Sequence, residues 1–166
     1  MFEVGDKVVH PTRGAGIIAA IEQKDMLDDF NRYYVIDLAA EDMRLMVPVR
    51  MAEGIGLRKI APARDADTIL RVLCSAPVAL PDDFKARQAH LQERLKEGDA
   101  ESLAMVVRDM AARSFIKTYS PTESRLYEQA RTMLSGELAL ARDTDVETAL
   151  NLIDETVAPA EDGSPA

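Results

Sequence analysis

The 166-residue chain has no tryptophan and a single cysteine, Cys74. One thiol cannot form an internal disulfide, so a reducing compartment fits best. Only two histidines are present, His10 and His90. Two His and one Cys supply too few ligands for a conventional zinc site. His10 stands before a proline at a strand end, His90 falls mid-helix, and neither has a carboxylate at triad or metal spacing. No catalytic role, no metal and no cofactor are expected. Cys74 reads as a small buried residue and His90 as facing water. Basic residues are also scarce, 20 Lys and Arg against 29 Asp and Glu, for a net charge of −9. That balance excludes a strongly basic nucleic-acid binder and leaves room only for a local basic face. No stretch approaches the roughly 18 apolar residues of a spanning helix. The opening residues lack the basic and apolar regions of a signal peptide. A cytoplasmic protein without membrane contact is expected.

What is present changes character near residue 60. The apolar fraction of 47% supports a packed core. The length suits one medium domain or two small ones. Before residue 60, Gly and Pro punctuate clusters of β-branched and aromatic residues, and four or five short strands are expected. They are Asp6 to His10, Gly16 to Gln23, "NRYYVIDLA" (Asn31 to Ala39) and "MRLMVPV" (Met43 to Val49). "MLDDFN" reads as the hairpin loop between the second and third. Pro48 places the fourth at a sheet edge. "MAEGIGLRKI" (Met51 to Ile60) would then close a small barrel, with bends at Gly54 and Gly56.

After residue 60 about five helices are expected. The first runs from Asp65, as its N-cap, to Cys74. The second runs from about Asp82 to Glu97, preceded by Pro81 and stopped by Gly98. Asp99 caps a third, to about Lys117. Ser120-Pro121-Thr122-Glu123 starts a fourth, to about Ala141, with N-cap, first-turn proline and capping-box glutamate in place. Thr144 opens a fifth, to about Val157. The fold class is therefore α+β: a small β-barrel over 1–60, a compact helical domain over 61–157 and an acidic, frayed tail over 158–166. Charge divides unevenly. Residues 119–166 hold three basic and ten acidic side chains, whereas 81–118 hold seven of each and can carry a basic face.

Three stretches are candidates for chemistry or binding. "RGAG", with Gly14 and Gly16, evokes a phosphate loop but lacks its lysine, its spacing and its helix, so the glycines read as turn formers. In "MRLMVP", strand alternation puts Arg44, Met46 and Pro48 on one face and Met43, Leu45 and Val47 on the core side. The first set is either a solvated edge or a docking stripe. In "PDDFKARQ", Phe84 sits in a first helical turn beside Lys85 and Arg87. It is either a core residue or an apolar wedge of the kind that enters a base step.

In their order and spacing, "FEVGDKVVHPTRGAG", "MRLMVPV" followed by "GIGLRKI", "KEGDAESLAMVVRDM" and "LYEQARTMLSGELALA" resemble the CarD/CdnL family of bacterial RNA polymerase-binding transcription regulators. The resemblance covers Phe2 to about Val157. It implies a Tudor-like N-terminal domain that binds the β lobe of the polymerase β subunit. It also implies a helical domain that contacts promoter DNA at the upstream edge of the −10 region and stabilises the open complex. By the same resemblance, Val35, Met46 and Pro48 would form the polymerase face, with Arg44 and Lys24 adding charge. Some members carry arginine where this chain has Met46. Phe84 stands where the family has a wedging tryptophan; it keeps the apolar surface and loses the indole N–H. Arg87, Arg113 and Arg125 would contact DNA. Other family cations are replaced by Ala86, Ala89 and Ser124, and Lys85 and Lys117 would compensate. No enzyme activity is implied, and a monomer is expected. An adaptor that binds polymerase without touching DNA is the alternative.

Overall fold

The computed structural model describes residues 1–24, 32–114 and 117–157. The expected hairpin loop at 26–31, the tail at 158–166 and two residues before Lys117 lie outside the described residues. The α+β architecture holds. The strands are β1 (Lys7–His10), β2 (Gly14–Gln23), β3 (Arg32–Leu38), β4 (Arg44–Pro48) and β5 (Arg58–Lys59). They form one antiparallel sheet in the order β4-β3-β2-β1-β5.

The sheet does not close into a barrel, because β4 and β5 lie at opposite edges. The segment expected to close it is spent otherwise. Val49–Met51 form a 3₁₀ turn, and Ala52–Ile55 form a short helix, α1, ended by Gly56 at φ 95°. Only Arg58 and Lys59 remain to pair, and they pair with Val9 and Val8 of β1. The edge position expected for β4 is found.

Alternation sorts the sheet into two faces. One face buries Val8, Ile18, Tyr34, Ile36, Leu38 and Val47 against α1, with the Phe2 ring edge-on to Tyr34. Leu45 joins this core as expected. Met43 does not: it precedes β4, is exposed, and receives an Arg13 N–H at its sulfur. Gly14 takes the turn conformation at φ 98°. Gly16 departs from the turn reading. It sits inside β2, and a Cβ there would lie 2.5 Å from the Asp37 carbonyl oxygen. Its lack of a side chain permits close strand approach.

Five longer helices follow: α2 (Pro62–Cys74), α3 (Phe84–Glu97), α4 (Ala100–Ser114), α5 (Pro121–Arg142) and α6 (Val146–Val157). Their starts follow local hydrogen bonding. α2 begins three residues before Asp65, because Pro62 takes the first turn and the Asp65 carboxylate accepts the Ala61 N–H at 2.8 Å. Asp83 caps α3, Asp99 caps α4 and Ser120 caps α5. Each such cap contributes about 1 kcal/mol. Asp145, not Thr144, caps α6 by accepting the Thr148 N–H at 2.7 Å. That bond holds the Asp145 carboxyl below its ordinary range. Cys74 is exposed rather than buried, and His90 is half-buried.

The helices share a core built on Ile69, Leu91, Leu103, Met110, Leu134 and Ile153. A third, smaller cluster joins the two parts of the chain. Val9, Ala15 and Ile60 pack against Leu140 and Ala141 of α5. Val9 and Ala15 lie on the face opposite the β core, so α5 covers one end of that second face.

Candidate functional site

The other end of that face, on β3 and β4, is only partly covered. The pairs Tyr33↔Pro48, Val35↔Met46 and Asp37↔Arg44 cross from β3 to β4, and Ala20 of β2 stands opposite Val35. A bulge between Ile18 and Ala20 shifts the alternation by one residue, which puts Ala20 on Val35's face rather than on that of Ile18. Val35 is 3% exposed and forms the floor; Met46 is 38% exposed and stands over it. Arg44 Nε donates to Asp37 Oδ1 at 2.8 Å, with both side chains largely in water. Such a surface pair contributes at most about 1 kcal/mol. Lys24, just past β2, brings its ammonium to 3.5 Å from the Met46 sulfur. Val35, Met46, Pro48, Arg44 and Lys24 therefore share one patch.

The second constellation is at the start of α3. Phe84 is its first residue and is 48% exposed, so its ring is not core. Asp83 caps the helix beneath it. Arg87, one turn on, lies with its guanidinium carbon 5.8 Å from the Phe84 ring centroid. That guanidinium is turned inward. Nε and Nη2 donate to Glu123 Oε1 at 2.9 and 2.7 Å, and Nη1 donates to the Pro81 and Asp82 carbonyls at 3.0 Å. Arg87 is 6% and Glu123 3% exposed. The glutamate that completes a capping box by spacing is thus engaged by Arg87, and the α5 cap rests on Ser120. No sequence spacing announces a partner 36 positions away; the only signal is a glutamate in an otherwise apolar helical face.

The remaining candidate cations are spread out. Lys85 is exposed beside Phe84. Arg113 and Lys117 line a groove of about 350 Å³ with Val78, Leu80, Asp82 and Asp109. Arg113 Nε is the one buried side-chain nitrogen or oxygen without a hydrogen-bond partner among the described residues. Arg125, exposed on α5, lines a different groove with Arg13, Glu41 and Met43. So Phe84, Lys85 and Arg87 are brought together, Arg113 and Lys117 share a groove that Asp82 also lines, and Arg125 lines a different groove.

Among the described residues, no group of three or more His, Cys, Asp or Glu is placed to hold a metal ion. No helix among them is long and apolar enough to cross a membrane.

An open antiparallel sheet with a bare edge stripe, carrying a helical unit that displays an aromatic on a helix start, is the build of a two-part binding protein. Comparison with known proteins gives the class. Residues 2–61 match the CarD-like/TRCF RID domain, and residues 68–154 match the CarD C-terminal domain. The chain belongs to the CarD/CdnL family of transcription regulators, whose domains are of the transcription-factor type rather than of enzymes. Across 142 residues it is 28% identical to YdeB of Bacillus subtilis (strain 168), a protein named as a candidate transcription factor. That match covers 86% of this chain and 93% of YdeB.

Proposed function

We propose that the protein docks on the β lobe of the RNA polymerase β subunit through the Val35/Met46/Pro48 patch. From there it stabilises the open promoter complex by setting Phe84 against the upstream edge of the −10 region. The family match supports the polymerase partner. The observation that carries the DNA contact is Phe84 itself, a half-exposed ring backed by a buried guanidinium that makes four hydrogen bonds. In this reading Arg87 holds the wedge, while Lys85, Arg113, Lys117 and Arg125 supply the phosphate contacts. Residues 1–60 are the docking unit and 61–157 the DNA unit, and one copy acts on one polymerase.

The mechanism follows from charge and mass action. With a net charge of −9, free DNA binding is weak, because phosphate contacts supply most sequence-independent affinity. Docking raises the effective concentration of Phe84 at the promoter. Preference for the open over the closed complex then shifts the equilibrium by that differential affinity. One or two kcal/mol gives roughly a five- to thirty-fold change. Output rises where opening limits transcription and falls where escape limits it. The test is open-complex lifetime with the wild-type chain and with Phe84→Ala. The wild type lengthens it and Phe84→Ala does not; no change with the wild type sinks the proposal. The inward Arg87 and the missing indole favour a second reading, an adaptor that binds polymerase without DNA contact. Crosslinks from position 84 to promoter DNA reject that adaptor.

A further inference from the structure

α5 is 22 residues long, about 33 Å at ~1.5 Å per residue. Glu123 lies in its first turn, and Glu137 follows fourteen positions later. That spacing is about 21 Å along the axis and returns to within about 40° of the same face. Each glutamate is buried and each takes an arginine from another element. Glu123 takes Arg87 from beneath Phe84. Glu137, 1% exposed, takes Arg58 of β5, whose Nη2 lies 2.5 and 3.2 Å from its two oxygens. Arg58 also stands 3.7 Å from Asp65 of α2.

Close contacts surround this second pair. A Cβ on Gly136 would lie 3.4 Å from the Ala40 Cβ, so the helix runs against the residues that follow β3. Lys7 Nζ donates to the Leu140 carbonyl at 2.9 Å. α3 makes a second connection. It starts at Phe84 and is capped after Glu97 by Gly98, which has φ 68° and abuts Pro11 in the β1–β2 turn. A Cβ there would overlap the Pro11 carbonyl oxygen. Two helices thus run from the Phe84 end to the sheet. Arg87–Glu123 cross-links them at one end, and Arg58–Glu137 and Gly98–Pro11 fix them at the other.

We infer that α3 and α5 form a truss that sets Phe84 at one fixed place relative to the docking patch, with Glu123, Glu137 and Arg58 as its positioning residues. The inference rests on the polymerase-and-DNA reading above and deepens it. A loose tether would raise only the local concentration of the wedge. A rigid connection also removes the orientational freedom that docking must otherwise restrict. Loosening the sheet end of the truss therefore weakens the wedge while leaving Phe84 and the docking patch untouched.

The experiment pairs a distance with a lifetime. Nitroxide labels at Glu22→Cys on β2 and Glu93→Cys on α3, in a Cys74→Ser background, report the separation of the two parts. The wild-type core gives one narrow distance distribution. Arg58→Ala combined with Glu137→Gln broadens it, leaves polymerase capture unchanged and loses most of the gain in open-complex lifetime. A broad wild-type distribution overturns the truss, and this arm stands even if the double variant does not fold. A narrow distribution that survives the double substitution overturns the assignment to Arg58 and Glu137. A broadened distribution with the full lifetime gain overturns the link to function. A wild-type chain that is captured by polymerase, gives a narrow distribution and fails to lengthen the lifetime sinks instead the DNA reading on which the truss acts.

Discussion

Phe84 and Met46 are both exposed apolar side chains, 48% and 38% exposed, and they are held in opposite ways. Behind Phe84 is a buried guanidinium with four hydrogen bonds, one of whose partners belongs to another helix. Beside Met46 are a lysine ammonium and a solvated Arg44–Asp37 pair on a sheet edge. A thioether on an edge strand can re-pack against whatever surface meets it. A ring backed by a locked arginine cannot. Under the proposed function the difference would serve two kinds of partner: a protein lobe that can adapt with the patch, and a nucleic-acid edge where the protein must supply the shape.

Glu123→Ala breaks the comparison from the rigid side and carries the largest expected effect. It leaves the Arg87 charge buried and without its carboxylate. Removing one member of a buried pair costs about 3–5 kcal/mol. Denaturant unfolding should show a loss of that size. Adding Arg87→Met to Glu123→Ala, which removes the orphaned charge and keeps the stem, should recover part of the loss.

How much of this was legible beforehand depends on the range of the interaction. The strands and helices were readable because β-branched runs, caps and first-turn prolines act over three or four residues. Ser120-Pro121 marks the α5 start and does start it. Closure of the sheet was not readable. It turned on whether 49–60 stayed extended, and a helical turn ended by Gly56 took most of that segment. Met43 reads as core by strand alternation, yet β4 begins one residue later and Met43 escapes the alternation. The patch residues could be grouped by alternation within one strand and by resemblance across strands. The supports of Phe84 could not. Glu123 carried a plausible local role as a capping-box residue, and nothing in its neighbourhood pointed to Arg87. Arg58 and Glu137, 79 positions apart, were invisible for the same reason.

The soft side is probed by Arg44→Ala and Met46→Glu. Arg44→Ala removes a solvated ion pair and should change stability by less than about 1 kcal/mol. Met46→Glu puts a carboxylate on the patch at an exposed position and should also leave the unfolding midpoint nearly unchanged. Capture by the polymerase β lobe should separate them: Met46→Glu abolishes it and Arg44→Ala weakens it. A Met46→Glu chain still captured at wild-type strength would remove Met46 from the docking patch.

The smallest effect concerns the sheet end of the frame, where a third kind of support appears. Burial raises the Glu137 carboxyl above its ordinary value of 4.5, and Arg58 only partly opposes that, with Asp65 and Asp99 nearby adding to the rise. The folded state therefore holds the Glu137 proton to higher pH than the unfolded chain does. Stability falls as pH rises wherever the folded state binds more protons. The contribution is thus fully present below the ordinary value and is lost as pH climbs through the raised one. Glu137→Gln has no proton to lose there, and its amide oxygen can still accept from Arg58. Subtracting its unfolding free energy from that of the wild type, as pH rises above the ordinary value of 4.5, isolates this group. The difference should drift against the wild type as pH rises. Asp145, held below its ordinary range by the α6 cap, titrates below this window and cancels in the subtraction. A flat difference would mean that Arg58 fully offsets the burial of Glu137.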